Sequence, residues 1–489
     1  MTKKHRLLSR RRLLKTGAAL AAPLAMPAIF AQRPPTQRTD RKPRNVVVIV
    51  TDDQRFDALG CLGHPFLQTP HIDRLAKNGL YAKNAFVTTA LCSPSRASML
   101  TGQYAHTHGI LDNETILPES TPIYPKLLQS AGYETAYIGK WHMGGSTDAP
   151  RPGWNHWASF KGQGFYFDPT FNVNGETKKY QGYTTDIITD LAVDWLGAKK
   201  DGPFCLVVGH KAVHNPFSPA PRHKDLYADQ ATPQPMPNDA ASYAGSPDWV
   251  RAQRRSWHGV DGTEGKGIWD GNYKDFASFY LDYMRTIVAV DEGVGRIVKA
   301  LEDKAILDST LILFTSDNGF LMGEHGLFDK RCMYEESIRI PLVVHCPELI
   351  KPGRALDELI VNIDYAPTIL ELSGLEAPPT MQGSSFAKLL TGASTPWRES
   401  FLYEYFFETS YPQTPTVLGV RTKRWKYMEF HGIWEKQNGR ALYDLETDPR
   451  ETTNLAGRSE HRAVQRTLEV ELTTLLDRHG ARRMPSWKK

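Results

Sequence analysis

The chain has 489 residues and a formal net charge of +5, with 40% hydrophobic and 23% charged residues. That length suits two or three domains, or one large α/β domain with an appendage, and the composition excludes both a disordered chain and a membrane-embedded one. The excess positive charge lies in residues 1–31, which hold basic residues and no acidic one; the remainder is close to neutral and gives no support for nucleic-acid binding.

The first segment reads as an address. Ser9-Arg10-Arg11-Arg12-Leu13-Leu14-Lys15 matches the twin-arginine export pattern, and an Ala/Leu-rich stretch broken by Pro23 and Pro27 follows. That stretch is too short and too interrupted to span a bilayer, which takes about 20 apolar residues, so no stable membrane anchor is expected. Residues 1–31 are read as the signal peptide, cleaved after Ala31, and 32–43 as a polar tether. The protein is expected in the periplasm or outside the cell, delivered by the twin-arginine machinery. Those carriers move folded proteins, so any modification that needs an unfolded chain must come earlier, in the cytoplasm. Five cysteines, an odd number without a CxxC pair, leave at least one for another purpose.

Four apolar runs then end on ionisable residues: 45–51 on Asp52-Asp53, 135–139 on Lys140-Trp141-His142, 204–209 on His210-Lys211 and His214, and 311–316 on Asp317-Asn318. Such runs suit strands buried on both faces, as in a mostly parallel sheet, and helical spacing of apolar residues between 280 and 303 supplies a covering helix. Open α/β sheets bind ligands beyond the carboxyl ends of their strands, so the four clusters should converge there. The expected organisation is an α/β catalytic domain over 44–394, with 222–272 as a surface insertion near the site. Residues 395–489 should form a smaller antiparallel β subdomain with strands at 401–407, 417–421, 425–430 and 441–445 and a helix over 459–478.

The decisive segment is Leu91-Cys92-Ser93-Pro94-Ser95-Arg96-Ala97-Ser98-Met99-Leu100-Thr101-Gly102. It resembles the maturation signature of the type I sulfatases of the alkaline phosphatase superfamily. Gly132 to His142 resembles that family's second signature. Thr51-Asp52-Asp53, Ser316-Asp317-Asn318-Gly319, Lys330 and Tyr443-Asp444-Leu445-Glu446-Thr447-Asp448-Pro449 follow the family's order. The resemblance implies an alkaline-phosphatase-like fold and sulfate ester hydrolysis. It also implies that a formylglycine-generating enzyme oxidises Cys92 to an aldehyde, hydrated to a diol.

By the same carry-over, one Ca²⁺ would be held by Asp52, Asp53, Asp317, Asn318 and the modified Cys92; a hard divalent cation with oxygen ligands neutralises the charge on a sulfate ester. Arg96 and Lys140 would hold the diol oxygens, and His142 would accept a proton from the hydroxyl that does not attack. Lys330 and His214 would grip the sulfuryl oxygens, one of them protonating the leaving oxygen. Lys211 could share the role of His214, and His325 could reach the substrate or stabilise its loop. His106 and His108 are expected to be structural, because calcium does not select imidazole.

Residues 84–91, 111–113 and 323–337 resemble the bacterial branch similar to N-acetylglucosamine-6-sulfatases and mucin-desulfating enzymes. A sulfated carbohydrate is therefore the expected substrate, with Asp112, Asn113 and aromatic residues of 154–167 as candidate sugar contacts. Two other readings stay open: a phosphonate monoester or phosphodiester hydrolase of the same superfamily, and a non-catalytic sulfated-glycan-binding protein whose Cys92 is never modified. Oligomeric state is not legible.

Overall fold

The computed structural model describes residues 43–198, 202–233, 245–256, 258–263, 268 and 272–481; residues 1–42, where the leader and most of the tether are expected, lie outside them. In chain order the strands are β1 (Asn45–Thr51), β2 (Leu80–Ala82), β3 (Ala85–Phe86), β4 (Glu134–Lys140), β5 (His156–Phe160), β6 (Thr170–Val173), β7 (Glu176–Lys179) and β8 (Phe204–Gly209). There follow β9 (Thr310–Ser316), β10 (Leu342–His345), β11 (Arg354–Leu356), β12 (Ile360–Val361), β13 (Ser400–Tyr405), β14 (Thr416–Thr422), β15 (Trp425–His431) and β16 (Gly439–Asp444).

The main sheet has the order β11-β2-β10-β9-β1-β8-β4-β5-β6-β7. Its centre, β9-β1-β8-β4-β5, is wholly parallel, and β10, β6 and β7 add antiparallel pairs towards the edges. The central strands are runs of β-branched and aromatic residues because both faces are covered. On β1, Val46, Val48 and Val50 enter one hydrophobic cluster while Val47 and Ile49 enter another. The first cluster contains the helices Cys92–Thr101 and Tyr365–Leu372 and the C-terminal strands; the second contains Pro70–Asn78, Thr184–Gly197 and Phe276–Asp303.

The helix Phe276–Asp303 begins four residues before the stretch read from the sequence, where Asp275 and Ser278 form a capping box at its N-terminus. No helix among the described residues is long and apolar enough to cross a membrane.

The antiparallel sheet β13-β14-β15-β16 and the helix Arg462–His479 occupy the segments read from the sequence. This sheet is tied to the rest of the protein: Phe401 packs on Phe86 with ring centroids 5.0 Å apart, and Tyr403 Oη donates to the Cys332 carbonyl at 2.9 Å.

Of the surface insertion expected over 222–272, residues 224–233 are exposed or half-buried, whereas several later residues face inward. Trp249, Val250, Gln253 and His258 are buried. Trp249 packs edge-on against Phe430, and His258 lies 3.3 Å from Asp329 through Nδ1 while its carbonyl accepts from Phe328 N. The aperiodic, Pro- and Gly-rich pattern around them hid this because Trp249, Val250 and Gln253 are the buried face of a helix of only six residues, Asp248–Gln253.

Where β4 meets β8, Gly139 pairs with Gly209. Gly139 has φ +111°, and a Cβ there would lie 1.9 Å from the Gly209 carbonyl oxygen. Neither backbone can retreat in mid-sheet. Gly139→Ala is expected to cost about 3 kcal/mol or more, read from the denaturant midpoint followed by circular dichroism.

Candidate active site

Because β9, β1, β8 and β4 are parallel neighbours, the residues that follow them emerge at one edge of the sheet. Asp52-Asp53 and Asp317-Asn318 leave adjacent strands, and Lys140 closes β4. The helix Cys92–Thr101 brings its first residue to the same place. Every residue of this helix is buried, which explains its lack of an amphipathic pattern.

The thiol of Cys92 donates to Asp52 Oδ1 at 3.4 Å, and Lys330 Nζ lies 3.1 Å from the sulfur while also donating to Asp53 Oδ1. Lys140 Nζ donates to Asp52 Oδ2 and to Gln163 Oε1. Arg96 donates through Nε to Asp317 Oδ2 at 2.8 Å and through Nη1 to the Lys140 carbonyl at 2.7 Å, and its Nη2 lies 3.6 Å from Asp52. Asn318 Nδ2 donates to Asp53 Oδ1 at 2.6 Å. His214 Nε2 is 3.8 Å from Asp53 Oδ2, and its Nδ1 bonds the Asn215 carbonyl at 2.6 Å, which leaves Nε2 facing the cluster.

Two of these residues hold left-handed backbone that side chains rarely adopt, Asp53 at φ 62° and His142 at φ 61°. The turn at Asp53 is fixed by Tyr283, whose hydroxyl donates to the Asp53 carbonyl and accepts from Arg55 N, both at 2.8 Å. Ser93 Oγ fixes the second turn by donating to the His142 carbonyl at 2.6 Å.

The electrostatics are those of crowded, dry carboxylates. Burial pushes Asp53 up to about 7, with Lys330 opposing and Asp52 and Asp317 adding to the rise. Asp317 is raised by burial and by Asp52. Burial would also raise Asp52, but the charges of Lys140 and Arg96 outweigh it and hold that carboxyl below the usual range. Burial, then nearby cations, keeps His142 and His214 neutral. Lys211 lies 4.7 Å from the Tyr166 ring, and burial followed by Lys140 brings its ammonium down to about 7. Burial and Asp52 raise the unmodified Cys92 thiol to about 12.

This donor set fits a hard cation. Asp52, Asp53 and Asp317 each offer an oxygen within 4.8 Å of the others, and Asn318 Oδ1 is buried without a hydrogen-bond partner. A divalent ion with oxygen ligands would remove both the mutual repulsion and the orphaned carbonyl.

Other residues singled out in the sequence have different surroundings. Asn113 Oδ1 accepts from Ser93 N at 3.0 Å, so it caps a free N–H in the first turn of the Cys92 helix. Asp112 folds back on its own loop, accepting from Glu114 N and Thr115 N. His325 joins a separate buried group with Glu336 and Glu451, against the ring of Tyr334, rather than the cluster around Cys92. His106 bonds Glu404 and the His479 carbonyl, and His108 bonds Ser98 Oγ, as structural residues would.

Gln163, Tyr283 and Ser93 were not singled out. Tyr283 belongs to a helical stripe that reads as core, and Gln163 carried no signal beyond its place within 154–167. Gln163→Ala removes a hydrogen bond to a buried ammonium, and kcat/KM is expected to fall about 10- to 100-fold, measured by initial rates of sulfate release.

Comparison with known proteins follows the same lines. A family model described as Sulfatase matches residues 44–375, and one described as N-sulphoglucosamine sulphohydrolase, C-terminal, matches 323–478. The chain is 34% identical to an N-acetylglucosamine-6-O-sulfatase of Bacteroides thetaiotaomicron, over 92% of this chain and 89% of that one. Among solved structures, one captured with its substrate D-glucosamine-2-N,6-O-disulfate superposes with a TM-score of 0.83 at 32% identity, covering 92% of this chain and all of that one. A phosphonate monoester hydrolase of Agrobacterium radiobacter superposes at 0.75 over 90% of this chain and 96% of its own; at 22% identity that likeness is one of fold alone.

Proposed function

The chain belongs to the sulfatase family of sulfuric ester hydrolases, and from that premise we propose that it removes sulfate from a sulfated carbohydrate, with a 6-O-sulfated glucosamine unit as the favoured substrate. The observation that carries the reading is the convergence on Cys92 of Asp52 and Lys330, with Arg96 and Lys140 beside them. The choice of sugar is supported by the likeness to an N-acetylglucosamine-6-O-sulfatase and to a structure bound to a glucosamine disulfate.

In this proposal Cys92 is oxidised to formylglycine, whose hydrate supplies the nucleophile and, by losing a proton from its second hydroxyl, a way to expel sulfate. Asp52, Asp53, Asp317 and Asn318 would hold a single Ca²⁺, which when bound supplies positive charge to the sulfuryl oxygens. The remaining steps fall to the chain's own groups. Arg96 and Lys140, fixed by Asp317, Asp52 and Gln163, face position 92 with their positive charges already oriented. Neutral His142 can accept the proton whose loss breaks the bond to sulfate. Lys330 orients the sulfuryl group, and Lys211, held against the ring of Tyr166, can deliver a proton to the leaving sugar oxygen, while neutral His214 offers Nε2 as an acceptor beside Asp53.

Export by the twin-arginine route to the periplasm or beyond, after maturation in the cytoplasm, belongs to the same proposal. The test uses the mature protein, produced with a formylglycine-generating enzyme, on N-acetylglucosamine-6-sulfate, 4-nitrophenyl sulfate and bis(4-nitrophenyl) phosphate. Sulfate release from the first two and little turnover of the third is the expected result. Preferred cleavage of the phosphodiester would move the assignment to phosphorus. Binding of the sulfated sugar without release, at full conversion of position 92, would make the protein a glycan-binding one.

A further inference from the structure

A second buried cluster lies in the segment that carries Lys330. A ring nitrogen of His325 and carboxylate oxygens of Glu336 and Glu451 all fall within 4.8 Å of one another. His325 is 2% exposed, and its Nε2, like Glu336 Oε2, is buried without a hydrogen-bond partner. The ring is held face to face on Tyr334, 3.6 Å between centroids and 10° between planes. Both His325 and Glu451 hold left-handed backbone at φ 55°.

The neighbouring charges do not satisfy the group. Lys426 Nζ is shared between Glu335 at 2.9 Å and Glu451 at 2.7 Å, and Glu335 also pairs with Arg421. Arg55 pairs with Asp57 and Glu324. Among the described residues Glu336 has no ion-pair partner. Burial and then Glu324 and Glu451 raise its carboxyl to about 8, while burial keeps His325 neutral with its lone pair available. A carboxyl without an ion-pair partner facing a neutral imidazole suits a borderline divalent cation, which would displace the carboxyl proton, since imidazole suits zinc-like ions and calcium does not select it.

We propose that His325, Glu336 and Glu451 form a second, structural site for a divalent cation of zinc type, which ties the Lys330 segment to the C-terminal sheet. The donors come from both sides of that junction: His325 and Glu336 flank Lys330, and Glu451 follows β16. Small side-chain rotations close their spacing around an ion that binds nitrogen and oxygen at about 2.0–2.2 Å. This site is independent of the Ca²⁺ site and of the sulfatase chemistry.

The experiment keeps calcium in excess, strips other metals with a zinc-selective chelator, and adds back Co²⁺ alone. One equivalent of cobalt per chain, visible absorption bands of nitrogen and oxygen coordination, and a higher Tm are expected. Glu336→Gln, which preserves shape, and His325→Gln should each lose the equivalent, the bands and the Tm increase. If His325→Gln does not fold, Glu336→Gln decides alone. A wild-type chain that takes up no cobalt, or a Glu336→Gln chain that keeps it, overturns the proposal and leaves a proton shared by the two carboxyls. Calcium content and sulfate release, measured in parallel, report on the other site separately.

Discussion

Cys92→Ala, produced beside a maturation enzyme that acts on cysteine, is expected to lower kcat by about 10⁵-fold or more, as loss of a nucleophile does elsewhere. The surrounding charges would survive, because Arg96, Lys140 and Lys330 are each held by carboxylates as well as by their proximity to position 92. Substrate should therefore still bind, and KM should change far less than kcat. Cys92→Ser sharpens the point. A serine hydroxyl has no second oxygen on its carbon, so it can accept a sulfuryl group but cannot expel it by elimination. The expected signature is a sub-stoichiometric to stoichiometric burst with a mass gain of one sulfuryl group, and then silence. Steady turnover by either variant would sink the reading of position 92.

Removing calcium should have the next largest effect. Asp52, Asp53 and Asp317 are fully buried beside one another, and without a cation Asp53 stays protonated up to about pH 7. Between about pH 4 and 7 the fold therefore retains a proton that the unfolded chain has released. Linkage then makes metal-free stability fall as pH rises through that window. A cation that binds the ionised carboxylates restores what is lost, and its binding competes with the proton at the acid end. Chelation with EGTA is expected to abolish activity and lower Tm, and Ca²⁺ to restore both. The Tm increase on adding Ca²⁺ should be larger at pH 8 than at pH 5, followed by differential scanning calorimetry. An increase that is the same at both pH values, or activity that persists in EGTA, would remove the cation from the account.

Much of this architecture is legible in the sequence, for identifiable reasons. The strands carrying Asp52, Lys140, Lys211 and Asp317 are continuous apolar runs because both faces of the sheet are buried, and their polar exits mark the carboxyl edge. The Cys92 helix is legible only as a motif, since a helix buried all round has no periodic face. What escapes is whatever depends on long-range contact. Gln163 reaches Lys140, Tyr283 props Asp53, and Asn113 caps the Cys92 helix from another loop. His325 lies one residue from Glu324 in the chain, yet Glu324 pairs with Arg55 while His325 faces Glu451. Nothing in local spacing separates those fates. The six-residue helix Asp248–Gln253 that buries Trp249, and the turn that buries His258, are too short for a legible period, so composition alone reads them as surface.

The five cysteines have unequal access. Cys61 is half-buried, while Cys92, Cys205, Cys332 and Cys346 are closed to solvent. A colorimetric thiol reagent added to native material should register Cys61 alone, whatever position 92 carries. If Cys92 is oxidised as proposed, counting sulfhydryls before and after guanidinium treatment distinguishes a batch that escaped that oxidation from one that underwent it. A chain that folds unoxidised has sealed its own defect inside.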